Sequence, residues 1–297
     1  MKIGILGLGF GPTATGSLVR AGARAAERAG FSICWFGEHA VLFEGEAEKY
    51  YPDRQKTRKS RAMIMNPRTA LPDSIVNMTW AAAATERIEI GSHIIILPQR
   101  QPVVLAKELA TLDCYSGGRL VAAFGSGWSA TEYAATGADW AGRGKRMDEY
   151  TEVLRALWRE NPASYSGEIV SFEKAYLYPR PARDIPIIFG GESEAVRRRV
   201  ARLGDGWAPV HLNLEDGPAI IENLREMTKE YGRDPDKLRI FKSLTIRDSL
   251  DDFARFRDAG ATEFKLNCMG DLPADEDELA ATIEEWGRTL VAHVATL

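Results

Sequence analysis

Short, nearly continuous apolar runs alternate along this chain with longer stretches whose apolar residues return every three or four positions. The first pattern suits a strand covered on both faces, and the second is the stripe of an amphipathic helix. Strands are predicted over Lys2–Leu8, Ile33–Gly37, Ile88–Leu97, Arg119–Phe124, Pro186–Phe189, Gly206–Val210, Arg239–Ile246 and Glu263–Asn267. Helices are predicted over Thr15–Ala29, Ser74–Thr85, Pro102–Tyr115, Lys145–Arg159, Glu194–Leu203, Pro218–Tyr231, Leu250–Ala259 and Glu278–Ala295. This alternation predicts an α/β fold, a (β/α)8 TIM barrel, with residues 1–297 as one domain.

Two stretches exceed what a minimal barrel needs. Residues 43–73 leave the carboxyl end of the second strand, so they should hang over the barrel mouth. They carry Tyr50, Tyr51 and a basic run from Arg54 to Arg61. Residues 162–185 join a helix to a strand and belong on the opposite face, where an irregular cover is expected rather than a ligand site.

Composition narrows the function. A net charge of −4 gives no electrostatic reason to expect nucleic acid or an anionic membrane. No apolar stretch approaches the roughly 18 residues of a transmembrane helix. Cys34, Cys114 and Cys268 are far apart and form no metal-type spacing, so no metal site is expected and a reduced, cytoplasmic protein is.

The candidate chemistry sits where strands end. Glu38 and His39 follow the second strand, and a histidine there can carry a proton near neutral pH. Gly125-Ser126-Gly127 lets backbone approach a ligand, and the same glycines also suit a tight strand-to-helix turn. Gly190-Gly191-Glu192-Ser193 opens a helix, so free N–H groups and the helix dipole could meet a phosphate there. Helix capping by Ser193 is the plainer reading, and the two are compatible. Glu192 sits awkwardly beside a phosphate unless it points outward. Glu132 could reach the mouth or serve as a first-turn helix carboxylate. Gly9 to Ala14 matches the dinucleotide fingerprint GxGxxA, but Pro12 removes an N–H the pyrophosphate would use. The strand–helix alternation also continues to the end without a second domain, which argues against a dinucleotide-binding dehydrogenase.

One segment carries a family likeness. The run Leu105–Gly137, LAKELATLDCYSGGRLVAAFGSGWSATEYAATG, resembles the bacterial-luciferase-like flavin and deazaflavin oxidoreductases. Arg143, Gly144 and Met147–Tyr150 extend the likeness toward the subgroup that uses the deazaflavin coenzyme F420. The resemblance implies several roles. Trp35-Phe36-Gly37-Glu38-His39 matches the family's Trp-x-x-Glu/Asp-His, which makes His39 the catalytic candidate beside the hydride-transferring ring. His93 and Ile94 would support the back of that ring, through a cis bond between them. Gly125 and Gly127 would admit the cofactor, and Gly190, Gly191 and Ser193 would hold its phosphate. Phe43 and Trp128 would line the substrate pocket. Trp128 stands where related sugar-phosphate dehydrogenases carry a glutamate, so that activity is not expected.

The implied reaction is hydride transfer between F420 and a small organic substrate, and the basic run could attract the polyglutamate tail of F420. The alternative is an FMN-dependent monooxygenase on the same scaffold, which would need a flavin reductase partner. A flavin-binding protein that has lost catalysis is the third reading. A homodimer is implied by the resemblance alone.

Overall fold

A computed structural model describes residues 1–46 and 66–297. The first half runs β1 (Lys2–Leu6), α1 (Gly16–Arg28), β2 (Ile33–Phe36), α2 (Ser74–Ala82), β3 (Glu89–Ser92), β4 (Ile95–Ile96), α3 (Pro102–Ser116), β5 (Leu120–Gly125), α4 (Ala130–Ala135) and α5 (Arg143–Arg159). The second half runs β6 (Ala163–Ser166), β7 (Ser171–Ala175), β8 (Ile187–Gly190), α6 (Glu194–Leu203), β9 (Gly206–Ala208), α7 (Gly217–Glu230), β10 (Arg239–Leu244), α8 (Leu250–Asp258), β11 (Glu263–Asn267) and α9 (Glu276–Trp286). All strands but β6 and β7 form one parallel sheet in the order β3-β2-β1-β11-β10-β9-β8-β5-β4. Strand β3 also pairs with β5, which closes the sheet into the expected barrel.

Strands β3 and β4 are two halves of the single strand predicted over Ile88–Leu97. Gly91 pairs with Val121 and Ile95 with Phe124, so four steps along one strand face three along the other. The extra residue is a bulge at Ser92, His93 and Ile94. Ser92 stitches the break, donating its hydroxyl to Ala123 O (2.7 Å) and accepting from Ala123 N (2.9 Å). The His93–Ile94 peptide is cis.

Side chains alternate across the strands as the pleat requires. Ile3, Ile5, Cys34, Phe36 and Ile90 face the helices. Leu6, Trp35, Val121, Ile188 and Phe241 fill the barrel itself. Trp35 is the largest of these, and two glycines make room for it. A Cβ on Gly91 would lie 2.5 Å from the indole, and one on Gly4 would lie 2.6 Å from its Nε1. The amino end is plugged by charge: Arg239 reaches Glu263 (2.5 Å) and Glu89 (2.8 Å), and Arg183 reaches Glu89 (3.0 Å).

Two expectations need amending. Residues 162–185 hold an antiparallel hairpin, β6 with β7, rather than only irregular chain. Glu149 and Glu152 of α5 hold it, accepting from Ile169 N, Val170 N and the Tyr165 hydroxyl. The helix predicted over Glu278–Ala295 is interrupted by a π-turn at Gly287–Val291 before α10 (Ala292–Thr296). Gly287 lies so close to the end of α1 that a Cβ there would meet Ala29 Cβ at 2.7 Å.

Among the described residues, no helix is long and apolar enough to cross a membrane. Tyr50, Tyr51 and the basic run Arg54 to Arg61 lie outside the described residues.

Candidate active site

The carboxyl ends of the strands surround a cavity of about 200 Å³. His39, His93, Ile94, Gly127 and Trp128 all line it, although they come from three separate places in the chain. Its upper walls are apolar, with Phe10, Leu71, Ile96 and Met269. Its floor is polar, with Ser243, Lys265 and Asn267 from β10 and β11.

His39 is held on both ring nitrogens. Nδ1 lies 2.9 Å from Glu132 Oε2, and Trp128 Nε1 donates to Nε2 at 3.2 Å. The Trp128 and His39 rings meet edge to face, with centroids 5.3 Å apart. An indole N–H can only donate, so Nε2 is the acceptor and the proton of neutral His39 sits on Nδ1, facing Glu132. Local structure explains the placement. Ser129 caps α4 by accepting from Glu132 N at 3.1 Å, which fixes Glu132 in the first turn. Its carboxylate then turns inward, fully buried, and accepts from Ala40 N at 2.6 Å as well. Both readings of Glu132 therefore hold at once. It is a first-turn carboxylate, and it reaches the mouth.

Glu38 also lines the cavity, but its carboxylate is bonded to other residues than His39. It accepts from Ser74 Oγ (2.7 Å) and from Arg100 Nε (3.1 Å), and Arg100 also binds Asp73 (2.7 Å). This group fastens the end of β2 to the start of α2, so Glu38 supports the loop that carries His39.

The glycines serve packing first. A Cβ on Gly125 would lie 2.0 Å from Ile94 Cδ1, and one on Gly190 would lie 3.0 Å from Ile94 Cγ2. Gly127 has a positive φ of 64°, and a Cβ there would crowd Ile96 at 2.9 Å. Gly125 and Gly190 thus seat the side chain that follows the bulge, and Ile94 in turn walls the cavity. Gly125, Gly190, Gly191, Ser193 and Phe43 do not line it themselves.

At the Gly190–Ser193 turn, Ser193 caps α6 through Val196 N. The Glu192 carboxylate accepts from His211 N, so it is drawn toward the next loop. Arg197 Nη1 donates to Glu192 O at 2.8 Å, which brings a guanidinium to the turn. Sequence reasoning did not single out Arg197. It sits one helical turn past Ser193, and that spacing was the available signal.

Lys265 was also missed. It is 1% exposed, and its Nζ contacts His93 Nε2 across the barrel. Burial, with the Lys242 charge adding to it, pulls its ammonium down to about 7. Burial and the neighbouring Lys265 hold His93 well below the usual histidine range, so His93 is neutral and accepts.

A parallel barrel whose mouth joins a buried carboxylate, a histidine and a glycine turn defines an α/β-barrel enzyme. The chain belongs to the luciferase-like monooxygenase family, whose model matches residues 12–247. It is 32% identical over 225 residues to an uncharacterised protein of Mycobacterium tuberculosis, covering 75% of this chain and 77% of that one. It is 29% identical over 229 residues to the pyrimidine monooxygenase RutA of Allorhizobium ampelinum, covering 71% and 62%. Over 139 residues it is 30% identical to the F420-dependent glucose-6-phosphate dehydrogenase of Kineococcus radiotolerans, covering 46% and 41%. Among solved structures, the fold matches the coenzyme F420-dependent tetrahydromethanopterin reductase of Methanopyrus kandleri with a TM-score of 0.75, at 17% identity over 99% of both chains. The family comprises F420- or FMN-dependent oxidoreductases and monooxygenases, and this chain is an enzyme of that kind.

Proposed function

We propose that this enzyme transfers a hydride between coenzyme F420 and a small organic substrate, with His39 handling the accompanying proton. The observation that carries this reading is the Glu132–His39–Trp128 arrangement at the cavity mouth. Glu132 holds the Nδ1 proton and offers its carboxylate to the imidazolium that forms when Nε2 takes a second proton. Trp128 occupies Nε2 in this state, so a substrate hydroxyl would bind by taking the place of the indole N–H.

The residues present suit a flat heterocycle. Ile94 and Ile96 give an apolar wall, and Ser243 and Asn267 give hydrogen-bonding groups below it. Gly125 and Gly190 would act indirectly, by seating Ile94. Gly191, Ser193 and Arg197 at the amino end of α6 would hold the cofactor phosphate outside the cavity. When bound, the deazaflavin supplies hydride chemistry at its C5, and the chain supplies orientation, exclusion of water and the proton at His39 Nε2. Trp128 replaces the acid expected of a sugar-phosphate dehydrogenase, so the substrate is a different small molecule despite the partial likeness to that enzyme.

A second reading, FMN-dependent monooxygenation coupled to a flavin reductase, draws support from the longer likeness to RutA. Parallel fluorescence titrations of the purified protein with F420 and FMN separate the two. Micromolar or tighter binding of F420 alone is expected. Tight binding of FMN alone moves the monooxygenase to the front, and binding of neither defeats both readings.

A further inference from the structure

Among the described residues, Lys265 has no counter-charge. It stands in the middle of β11 and points into the barrel beneath the cavity that His39 overlooks. Only 1% of it is exposed, and the partner it contacts is an uncharged one, His93 Nε2. The charge that bears on it is another cation, Lys242 of β10, which donates to Leu212 O (2.6 Å) and lies over the face of Phe256. The acids of the barrel interior, Glu89 and Glu263, are committed to Arg239 and Arg183 at the amino end. Strand β1 brings Gly4 and Leu6 to this region, and neither carries charge.

Burying a lysine without a carboxylate is costly, so its presence calls for an explanation in what the cavity binds. Methionine would fit the same space at no electrostatic cost. An ammonium has three donors, and His93 takes one of them. The remaining two lie in a cavity where Ser243 and Asn267 are neutral and where the one carboxylate among the described lining residues, Glu38, is held by Arg100 and Ser74. Two-electron reduction places negative charge on the pyrimidine half of a flavin, and in a deazaflavin such as F420, whose oxidised ring is an anion with its charge spread from the 8-oxygen, it concentrates the charge there. A cation nearby is one of the means by which a protein tunes such a ring.

We propose that Lys265, held in place by His93, is the counter-charge for the reduced cofactor ring, so that the protein binds the reduced form in preference to the oxidised one. The proposal rests on the reading of the cavity as a flavin or deazaflavin site. It makes Lys265 a binding residue and His93 the residue that positions it. Burial and the Lys242 charge draw the Lys265 ammonium down to about 7. A negative ring raises it again, so reduced cofactor should bring a proton with it.

The test is a set of anaerobic titrations at pH 7.5, with oxidised and reduced F420 and with oxidised and reduced FMN, for wild type and Lys265→Met. Expected is near-wild-type affinity of the variant for the oxidised form. Its affinity for the reduced form should fall about tenfold, equivalent to a drop of about 30 mV in the bound two-electron potential. Equal weakening of both forms overturns the proposal and leaves Lys265 a packing residue. A second measurement needs no variant: wild-type titrations by calorimetry in two buffers of different ionisation enthalpy. More proton uptake is expected with reduced than with oxidised cofactor, and equal uptake overturns the proposal. Failure of wild type to bind either cofactor defeats the site reading itself, a result distinct from binding without redox preference.

Discussion

At the scale of the residue, the site rests on one imidazole held from two sides. His39 was legible because Glu38-His39 follows a strand that carries Trp35, in a recognisable order. Glu132 was not legible as its partner, because 93 residues separate them and only the folded barrel joins them. The pairing predicts what each change does. In Glu132→Gln the amide oxygen can still accept from Ala40 N, while its NH2 meets His39 Nδ1. That NH2 is a donor, so Nδ1 must accept and the ring proton moves to Nε2, where it opposes the Trp128 N–H. The variant should fold and bind cofactor normally, yet turn over about 100-fold more slowly, as should His39→Ala. Steady-state kinetics beside cofactor titration would decide it. Turnover within a factor of about three of wild type in His39→Ala would remove the proton role.

At the scale of the element, the break between β3 and β4 governs the cavity wall. The sequence reads as one strand over Ile88–Leu97, since a bulge leaves the apolar pattern almost unchanged. The family likeness pointed to His93 and Ile94, while the reason Gly125 and Gly190 must lack a side chain appeared only with the neighbouring strands in place. That reason is packing against Ile94. In Gly125→Ala the new methyl lies 2.0 Å from Ile94 Cδ1, and the open side is the cavity, so Ile94 should swing into it. A loss of about 1–3 kcal/mol in stability and about tenfold in cofactor affinity is expected. The double variant Gly125→Ala/Ile94→Val removes the colliding carbon and should recover most of both. Titration and urea unfolding of the single and double variants measure it, and no recovery in the double variant would sink the packing account.

At the scale of the whole molecule, the barrel was legible from alternation alone, because eight strands that read as buried on both faces have few other solutions. What alternation cannot show is which ionisable groups the closed barrel traps, and these set the dependence of stability on pH. Lys265 is drawn from its ordinary 10.5 down to about 7 by burial. Between those values the unfolded chain holds the extra proton, so stability rises with pH across that window. Cys34 is pushed up by burial from 9.0 to about 12, and Cys268 is raised for the same cause. Above pH 9 the unfolded chain therefore loses protons that the folded chain keeps, and stability falls. The two effects have opposite signs and overlap only above pH 9, which puts the maximum near pH 8 to 9 rather than at neutrality. Melting curves of wild type should rise by about 3 °C from pH 7 to pH 8.5, then fall by pH 10.5. In Lys265→Met the rise should vanish while the fall persists, and the variant should melt higher than wild type at pH 7. A variant that melts lower at pH 7 and keeps the same rise would show that Lys265 is compensated within the protein itself. The cost that motivates its role as a counter-charge would then be absent.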